Sequence, residues 1–209
     1  MGFSTLLDIL GSTIAGGLLL MILMRMNDAS VENNYFYSGE RIVQQNLVEV
    51  VKLLEFDLRK IGYCNNWQLM PIPSMAITQA DSNGITFLTD IVTPSDPYGD
   101  GVLDVMHYYL GPTSELTATP NPYDRLLYRV ANSQTPAGSN LGLTQFKLTY
   151  FDANGDKITS MPASPPFGIA AIQIDISVEN TAAYGNDYSA DKRIIWRQVR
   201  LPARNFTLR

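Results

Sequence analysis

The sequence contains very few of the residues from which catalytic and metal sites are usually built. Its 209 residues include one cysteine, Cys64, and one histidine, His107. A single cysteine excludes an intrachain disulfide, and a single histidine excludes a metal site made of several histidines. There is no Gly-x-Ser-x-Gly motif, and His107 lies in the alternating run VMHYYL, which is typical of a strand. We therefore predict no enzymatic activity, and we interpret Cys64 as a small buried side chain.

Basic residues are scarce in the central part of the chain. The net charge is −5, and residues 64–191 contain thirteen acids but only four bases. Nucleic-acid binding requires a basic face, so this composition argues against nucleic acid as a direct partner. The last eighteen residues contain six bases and no acid, but these bases are interleaved with Ile, Trp and Val.

Charge is almost absent from the N-terminal segment, where residues Phe3 to Met24 include only Asp8. A helix of this length spans about 33 Å, which is enough to cross the hydrocarbon core of a bilayer. A signal peptide would begin with basic residues and end at a small-x-small cleavage site, and a soluble helix would have a polar face. None of these features is present. We therefore predict that residues 1–26 form a membrane-embedded helix half.

No proline occurs before Pro71, so the helix can continue beyond the apolar segment. Residues 27–62 have one apolar stripe at helical spacing and end at Gly62, a helix stop signal. The stretch LLEFDLRKIGYC at 53–64 is therefore interpreted as the last turns of an amphipathic helix, not as a catalytic cluster. Glu55 and Arg59 can pair on its polar face, and Asp57 is expected to face solvent or the domain. The stripe consists of Val43, Leu47, Val50, Leu54, Leu58 and Ile61.

The remainder of the chain, residues 63–209, has the pattern of β-strands. Asn-Gly and Asp-rich turns at 81–84 and 152–155 each join two short β-rich runs, which favours hairpins. No helix-length segment interrupts the runs, so we predict a mostly antiparallel sheet. Segments 111–124 and 133–142 are predicted to be flexible loops. The fold class is therefore α+β, with a helix half at 1–26 and a globular domain at 27–209. The runs are AITQADSNGITFLTD, VLDVMHYYL, RLLYRVAN, LTQFKLTYFDANGDKI, IAAIQIDISVEN and RIIWRQVRLPARN.

This order of parts resembles that of type IV pilin-like proteins. The resemblance lies in the Gly-Phe start, the apolar helix, its amphipathic continuation ending in a D-L-R-x-x-G-Y phrase at 57–63, and the following sheet. It covers essentially the whole chain and is most similar to the minor components, the W-type minor pilins and the J-type pseudopilins of type II secretion. The phrases that carry it are LLEFDLRKIGY, ITFLTD, HYYL, LLYRVAN, FKLTYFDANGD and VRLPARN.

The resemblance implies a structural subunit that is stored in the inner membrane with its domain outside the cytoplasm. An assembly platform would extract it into a filament with other pilin-like subunits, the helix packing in the filament core. A prepilin peptidase would cut after Gly2 and leave Phe3 as a methylated N-terminus, although only Met1-Gly2 precedes this position, without a basic leader.

The assembly residues implied by the resemblance lie in the apolar helix. The fifth mature residue of the family is usually Glu, whose carboxylate neutralises the N-terminal amine of a neighbouring subunit. Here that position is Leu7, and Asp8 follows it. Loss of the Glu is tolerated at the filament tip, so a tip position is expected. Asp8 is then the candidate assembly carboxylate, and the small residues Gly11, Gly16 and Gly17 allow close helix approach.

Two other interpretations remain open from the sequence. One is a single-pass membrane-anchored β-domain that forms no filament. The other is a calcium-binding extracytoplasmic module, because DPYGDGVLD places Asp96, Asp100 and Asp104 around two glycines. The EF-hand spacing is missing from this loop, and a plain Gly-Asp turn is the favoured interpretation. No other cofactor is expected.

Overall fold

The computed structural model describes residues 2–119, 121–159, 168–179 and 194–202. One α-helix, α1, runs from Gly2 to Leu58, and short 3-10 helices occupy Trp67–Leu69, Pro73–Met75 and Thr113–Leu116. The contacts within the chain divide it into two compact units, Met1–Arg41 and Ile42–Arg209. The predicted boundary between the apolar helix half and the globular domain, at 26/27, marks the end of the apolar run. The boundary between the two units lies later, just before Val43, the first buried hydrophobic residue.

The first unit consists of helix. Its described side chains are exposed as far as Ser38, including large apolar ones such as Phe3, Leu10 and Met24, and Glu40 near its end is half-buried. An 18-residue window of α1 has a mean hydropathy of 2.1, and none of that window is buried. The helix is thus long and apolar enough to cross a membrane.

In the second unit, the apolar stripe of α1 is buried, as the sequence predicts. Every member of the stripe from Val43 to Ile61 is at most 6% exposed. The α-helix ends at Leu58 and not at Gly62, because residues 59–62 form turns. Gly62 has φ +74°, and its N–H donates to the carbonyl of Leu88 at 2.9 Å. Its left-handed backbone therefore redirects the chain toward the sheet.

The sheet has seven strands within the described residues, and each pairs with its neighbour in the chain in antiparallel orientation. This meander confirms the predicted α+β class with an antiparallel sheet. The turn between the first two strands contains the predicted Asn-Gly signal. The strands are β1 Ile77–Ala80, β2 Gly84–Thr89, β3 Asp104–Leu110, β4 Arg125–Ala131, β5 Ala137–Phe151, β6 Ala171–Glu179 and β7 Ile194–Pro202.

Two predicted segments differ from the structure. The expected loop at 133–142 is wrong in its second half, because β5 already begins at Ala137 and pairs there with Arg129 of β4. The sequence AGSNLG has low β-propensity, so the pairing with β4 determines this part of the strand. At the hairpin expected around DANGD, the two sides of the turn are paired by one isolated bridge, between Phe151 and Lys157. The segment 160–167 and most of the basic C-terminal residues lie outside the described residues.

The core of the second unit lies between the stripe of α1 and one face of the sheet. In β6 the alternating apolar side chains of Ile172, Ile174, Ile176 and Val178 are all buried. The largest fully buried side chains of the other strands are aromatic, among them Phe87, Tyr108, Phe146 and Tyr150. Because each contributes a large apolar area, they carry much of the favourable burial free energy.

Candidate functional site

The N-terminal part of α1 carries the residues that the sequence assigns to processing and assembly. A Cβ added at Gly2, Gly11, Gly16 or Gly17 would meet nothing within 4 Å, so all four positions are open. At 3.6 residues per turn, Gly11 and Gly16 lie about 60° and 80° from Asp8 around the axis, and Gly17 about 180°. The structure therefore places Gly11 and Gly16 nearer to the Asp8 side and Gly17 opposite.

The polar side chains of the apolar segment differ in how they are satisfied. The hydroxyls of Ser12 and Thr13 each donate to the carbonyl of Ile9 at 2.9 Å, and that of Thr5 donates to Gly2 at 3.0 Å. Such bonds hide a hydroxyl within the helix and make it compatible with an apolar surrounding. Asp8 makes no hydrogen bond or ion pair within the described part of the chain. Its carboxylate is thus the group in this segment that requires a partner or water.

The last turns of α1 are joined to the sheet by a buried charged group. Asp57 is 5% exposed, and its Oδ2 accepts hydrogen bonds from the Tyr108 hydroxyl and from Arg129 Nε at 2.6 Å. Arg129 Nε also lies 3.0 Å from the Tyr108 hydroxyl oxygen. Tyr108 belongs to β3 and Arg129 to the neighbouring β4, directly opposite in register. One carboxylate of the helix therefore holds two strands.

The charges and hydrogen bonds of this group favour the protonated forms of Tyr108 and Arg129. Burial, together with the charge and hydrogen bond of Asp57, raises the pKa of Tyr108 well above its ordinary value, so the phenol stays a donor. Burial alone would lower the pKa of Arg129, but the hydrogen bond and charge of Asp57 outweigh it and raise that pKa. The phenol donates to a carboxylate that is also paired with a guanidinium, an arrangement that joins the helix to the sheet.

The sequence predicts that Asp57 faces solvent or the domain. It does not predict the hydrogen bonds of Asp57 to Tyr108 and Arg129. A signal was present, because Asp57 follows Leu54 by three residues and precedes Ile61 by four. An acid at those positions lies beside the apolar stripe, where it must be buried and therefore paired. Its partner could not be named in advance, since that depended on which strand packs over the end of the helix.

Two buried acids, Asp124 and Glu179, lie near each other at the start of β4 and the end of β6. Asp124 is 0% exposed, and neither of its carboxylate oxygens has a hydrogen-bond partner within the described residues. Nearby Glu179 accepts from Asn121 Nδ2 at 3.2 Å and from the Thr144 hydroxyl at 3.4 Å. Burial raises the pKa of Asp124 to about 6; the neighbouring Thr119 hydroxyl, which is too far or poorly aligned for a hydrogen bond, opposes this rise, and the negative charge of Glu179 adds to it.

The three aspartates proposed for calcium make hydrogen bonds with different parts of the loop and its neighbours. Asp104 accepts from the Ile91 N–H at 2.9 Å and from Asn132 Nδ2 at 2.7 Å, and Asp100 accepts from the Val102 N–H at 2.9 Å. Asp96 contributes its backbone to a turn with Thr93. No group of three or more His, Cys, Asp or Glu residues that could hold a metal occurs among the described residues. Calcium binding therefore stays a prediction from the sequence, without support from this geometry.

The loop that contains these aspartates is held by a different carboxylate. Asp90 is 0% exposed, and its Oδ2 accepts the backbone N–H groups of Asn65 at 3.0 Å and Gly101 at 2.9 Å. A Cβ at Gly99 would lie 2.0 Å from Asp90 Oδ1, so the loop backbone packs directly on this carboxylate. The sequence did not indicate this role for Asp90.

Cys64 and His107 have the surroundings of structural residues. The Cys64 thiol is buried 3.6 Å from the carbonyl of Gly101, and burial raises its pKa, which disfavours the reactive thiolate. The His107 ring lies 4.7 Å from that of Tyr109, and burial lowers its pKa. The absence of enzymatic activity stays a prediction.

Comparison with solved structures finds a likeness to a known fold. The chain is similar in structure to a type IV-like pilin from Thermus thermophilus, with 12% sequence identity and a TM-score of 0.45. The similarity covers 78% of this chain and 97% of that one. No family model matches the sequence, and no curated protein matches it.

Proposed function

We propose that this protein is a pilin-like structural subunit, held in the inner membrane by the apolar part of α1 and assembled with other pilin-like subunits into a filament. The observation that carries the proposal is the change of surface along one helix. Its first part is apolar and exposed, whereas from Val43 onward one stripe of its side chains is buried against an antiparallel sheet. Such a helix needs an apolar environment for its first part: lipid before assembly, and other helices afterwards.

The finer assignment rests on Asp8. A carboxylate at the centre of a membrane-embedded helix costs about 2.5–3.5 kcal/mol on insertion scales, and less near the interface. A positive group on an adjacent subunit, such as an N-terminal amine, would offset this cost within a filament. With Leu7 where the family usually has Glu, we propose a minor, tip-located subunit of a type IV pilus or a type II secretion pseudopilus. Prepilin peptidase and an assembly platform would be its further partners, with cleavage between Gly2 and Phe3.

The test uses the tagged full-length chain in the cells that produce it. Asp8→Ala removes the carboxylate, and Gly16→Leu blocks close helix approach, so each should weaken co-purification with other pilin-like subunits several-fold. Asp28→Ala makes the same change, and Ser30→Leu places a leucine at another small residue, both on the exposed helix beyond the apolar segment, so they should leave co-purification unchanged. Melting of the globular domain should be the same in all four variants.

The alternative outcome identifies the other candidate. If the Asp8 and Gly16 variants co-purify with pilin-like subunits as well as the controls do, the helix has no assembly role. The protein would then be a single-pass membrane-anchored β-domain. Full solubility of the chain as a monomer without detergent would contradict both.

A further inference from the structure

A small cavity beside β5 has a lining unlike the rest of the domain. Its volume is about 200 Å³, and it lies where β5 has separated from β4, which pairs only with residues 137–143. The β1–β2 turn covers the edge of β5 at this point, with the Leu148 N–H donating to the Ser82 carbonyl at 2.8 Å. The lining residues are Ser82, Lys147, Leu148, Thr149, Tyr150, Lys157, Ile158 and Thr159.

The polar groups of this cavity are mostly hydrogen-bond donors. Lys147 and Lys157 are two of only four bases in residues 64–191, where thirteen acids are present. Neither lysine forms an ion pair within the described part of the chain. The hydroxyls of Ser82, Thr149 and Thr159 likewise make no hydrogen bond to described residues. Five side chains with unused donors therefore surround one cavity.

No nearby carboxylate forms an ion pair with either lysine among the described residues. Asp175 stands opposite Lys147 in register, but its carboxylate accepts from Gln173 Nε2 at 3.1 Å. Asp81 precedes the turn, and its Oδ1 accepts the Asn83 N–H at 2.8 Å. No carboxylate is among the residues that line the cavity. The two exposed ammonium groups thus line a cavity that contains no carboxylate, in a part of the chain where acids outnumber bases.

We propose that this cavity binds a phosphate group, held by Lys147 and Lys157 and by the hydroxyls of Ser82, Thr149 and Thr159. A phosphoryl group carries about −1.5 to −2 charges at pH 7, which matches two ammonium groups, and its several oxygens can accept from five donors. Pockets for whole small molecules measure about 300–1,000 Å³, so this cavity accommodates one phosphoryl group and little more. The proposal does not depend on filament assembly.

The first experiment measures the wild-type full-length chain in nonionic detergent micelles. Lysines are acylated with and without inorganic phosphate at constant ionic strength, and the rate at each lysine is measured by mass spectrometry. Phosphate should slow acylation of Lys147 and Lys157 several-fold and leave Lys52 and Lys60 unchanged. Equal rates at Lys147 and Lys157 with and without phosphate, or equal slowing at all lysines, would overturn the proposal.

A parallel arm with glycerol phosphate identifies the source of the group. Stronger protection by glycerol phosphate than by inorganic phosphate supports a phosphoryl group carried on a larger molecule. Protection by inorganic phosphate alone supports the free ion. Absence of protection by both compounds contradicts the site.

Variants then test the individual side chains through the phosphate-dependent rise in melting temperature. The rise should disappear in Lys147→Gln/Lys157→Gln and persist in Lys52→Gln, an exposed lysine of α1. Thr149→Val removes one largely buried hydroxyl and keeps both charges, so it should reduce the rise and serves if the double variant does not fold. An unchanged rise in Thr149→Val and in the lysine double variant would show that phosphate acts elsewhere.

Discussion

At the scale of single residues, Asp57 is the most consequential side chain of the helix. Its carboxylate is buried and accepts from Tyr108 and Arg129, so Arg129→Met would leave a buried charge with one donor fewer. We expect a loss of about 2 kcal/mol in the free energy of unfolding, below the value for a fully buried pair because the Arg129 side chain is 35% exposed. Urea unfolding of the full-length chain in detergent measures the loss.

The control is the exposed pair on the same helix. Arg59 lies 3.6 Å from Glu55, with side chains 52% and 30% exposed, so Arg59→Met should change stability by less than about 0.5 kcal/mol. The double variant Asp57→Asn/Arg129→Met should cost less than the sum of its single changes, because each removes the same interaction. Strict additivity would show that Asp57 and Arg129 are not coupled.

Asp124 predicts a pH dependence of stability. Its folded pKa of about 6 lies above the ordinary value of 3.8, so the folded state binds this proton more tightly than the unfolded state. The resulting stabilisation is fully present below about pH 4 and is lost as the pH rises through about 6. Asp124→Asn should therefore be more stable than the wild type above pH 6, and this advantage should vanish toward pH 4. Thermal melts across this range test the trend.

Asp156→Asn, at an exposed position of the 152–156 turn, is the comparison for Asp124. The difference between the two variants should grow with pH between about 4 and 6. A difference that stays constant over this range would mean that Asp124 titrates alike in the folded and unfolded states.

The apolar stripe of α1 could be predicted residue by residue, because helical spacing fixes which side chains share a face. The buried acids could not be predicted from the sequence. Asp57, Asp90 and Asp124 are each buried through contacts with segments distant in the chain, and a local pattern contains no information on those contacts. The positions proposed for assembly were readable only through a resemblance, since an exposed helix makes no contacts that would reveal its partner.

At the scale of structural elements, the loop between β2 and β3 depends on a glycine. Gly99 has φ +85°, and a Cβ there would lie 2.0 Å from Asp90 Oδ1. Gly99→Ala should combine about 1–2 kcal/mol for the left-handed backbone with about 1–3 kcal/mol for overpacking. Chemical denaturation of the variant gives the total.

Gly168 separates the two contributions. Its φ is +78°, but a Cβ there would meet nothing within 4 Å. Gly168→Ala should therefore show only the backbone cost, and Gly99→Ala the larger loss. Equal losses in the two variants would indicate that the loop moves away from Asp90 without cost.

Strands with alternating apolar residues could be predicted as elements, and β6 is the clearest case. The first residues of β5 could not, because Ala, Gly, Ser and Asn favour turns and are held extended by pairing with β4. The end of α1 was predicted within one turn of its position. The turn after Leu58 is determined by the hydrogen bond of Gly62 to Leu88, a contact outside the local sequence.

At the scale of the whole molecule, the buried core predicts which truncations fold. All buried hydrophobic residues among the described positions lie at Val43 or later. Proteins that begin at Asn27 or Ile42 should therefore be soluble monomers with nearly equal melting temperatures, whereas the full chain should require detergent. One that begins at Val51 loses three buried side chains worth about 1.5–3 kcal/mol each, which approaches the stability of a typical domain.

Circular dichroism melts and sedimentation of the three truncated proteins and the full chain provide the measurement. A cooperative melt of the protein that begins at Val51, at the temperature of the longer ones, would show that the helix contributes little to the core. Aggregation of the protein that begins at Asn27 would place exposed apolar surface beyond the N-terminal segment.

The strictly sequential order of the sheet determines how the domain can form. Each strand pairs with the one made just before it, so every pairing closes a short loop and folding can proceed from β1 onward during synthesis. The helix is different, because Asp57 reaches Arg129 across seventy-two positions of the chain. The contacts of Asp57 are thus complete only after β4 has been made. Until β4 is made, the buried carboxylate of Asp57 therefore lacks its Arg129 donor.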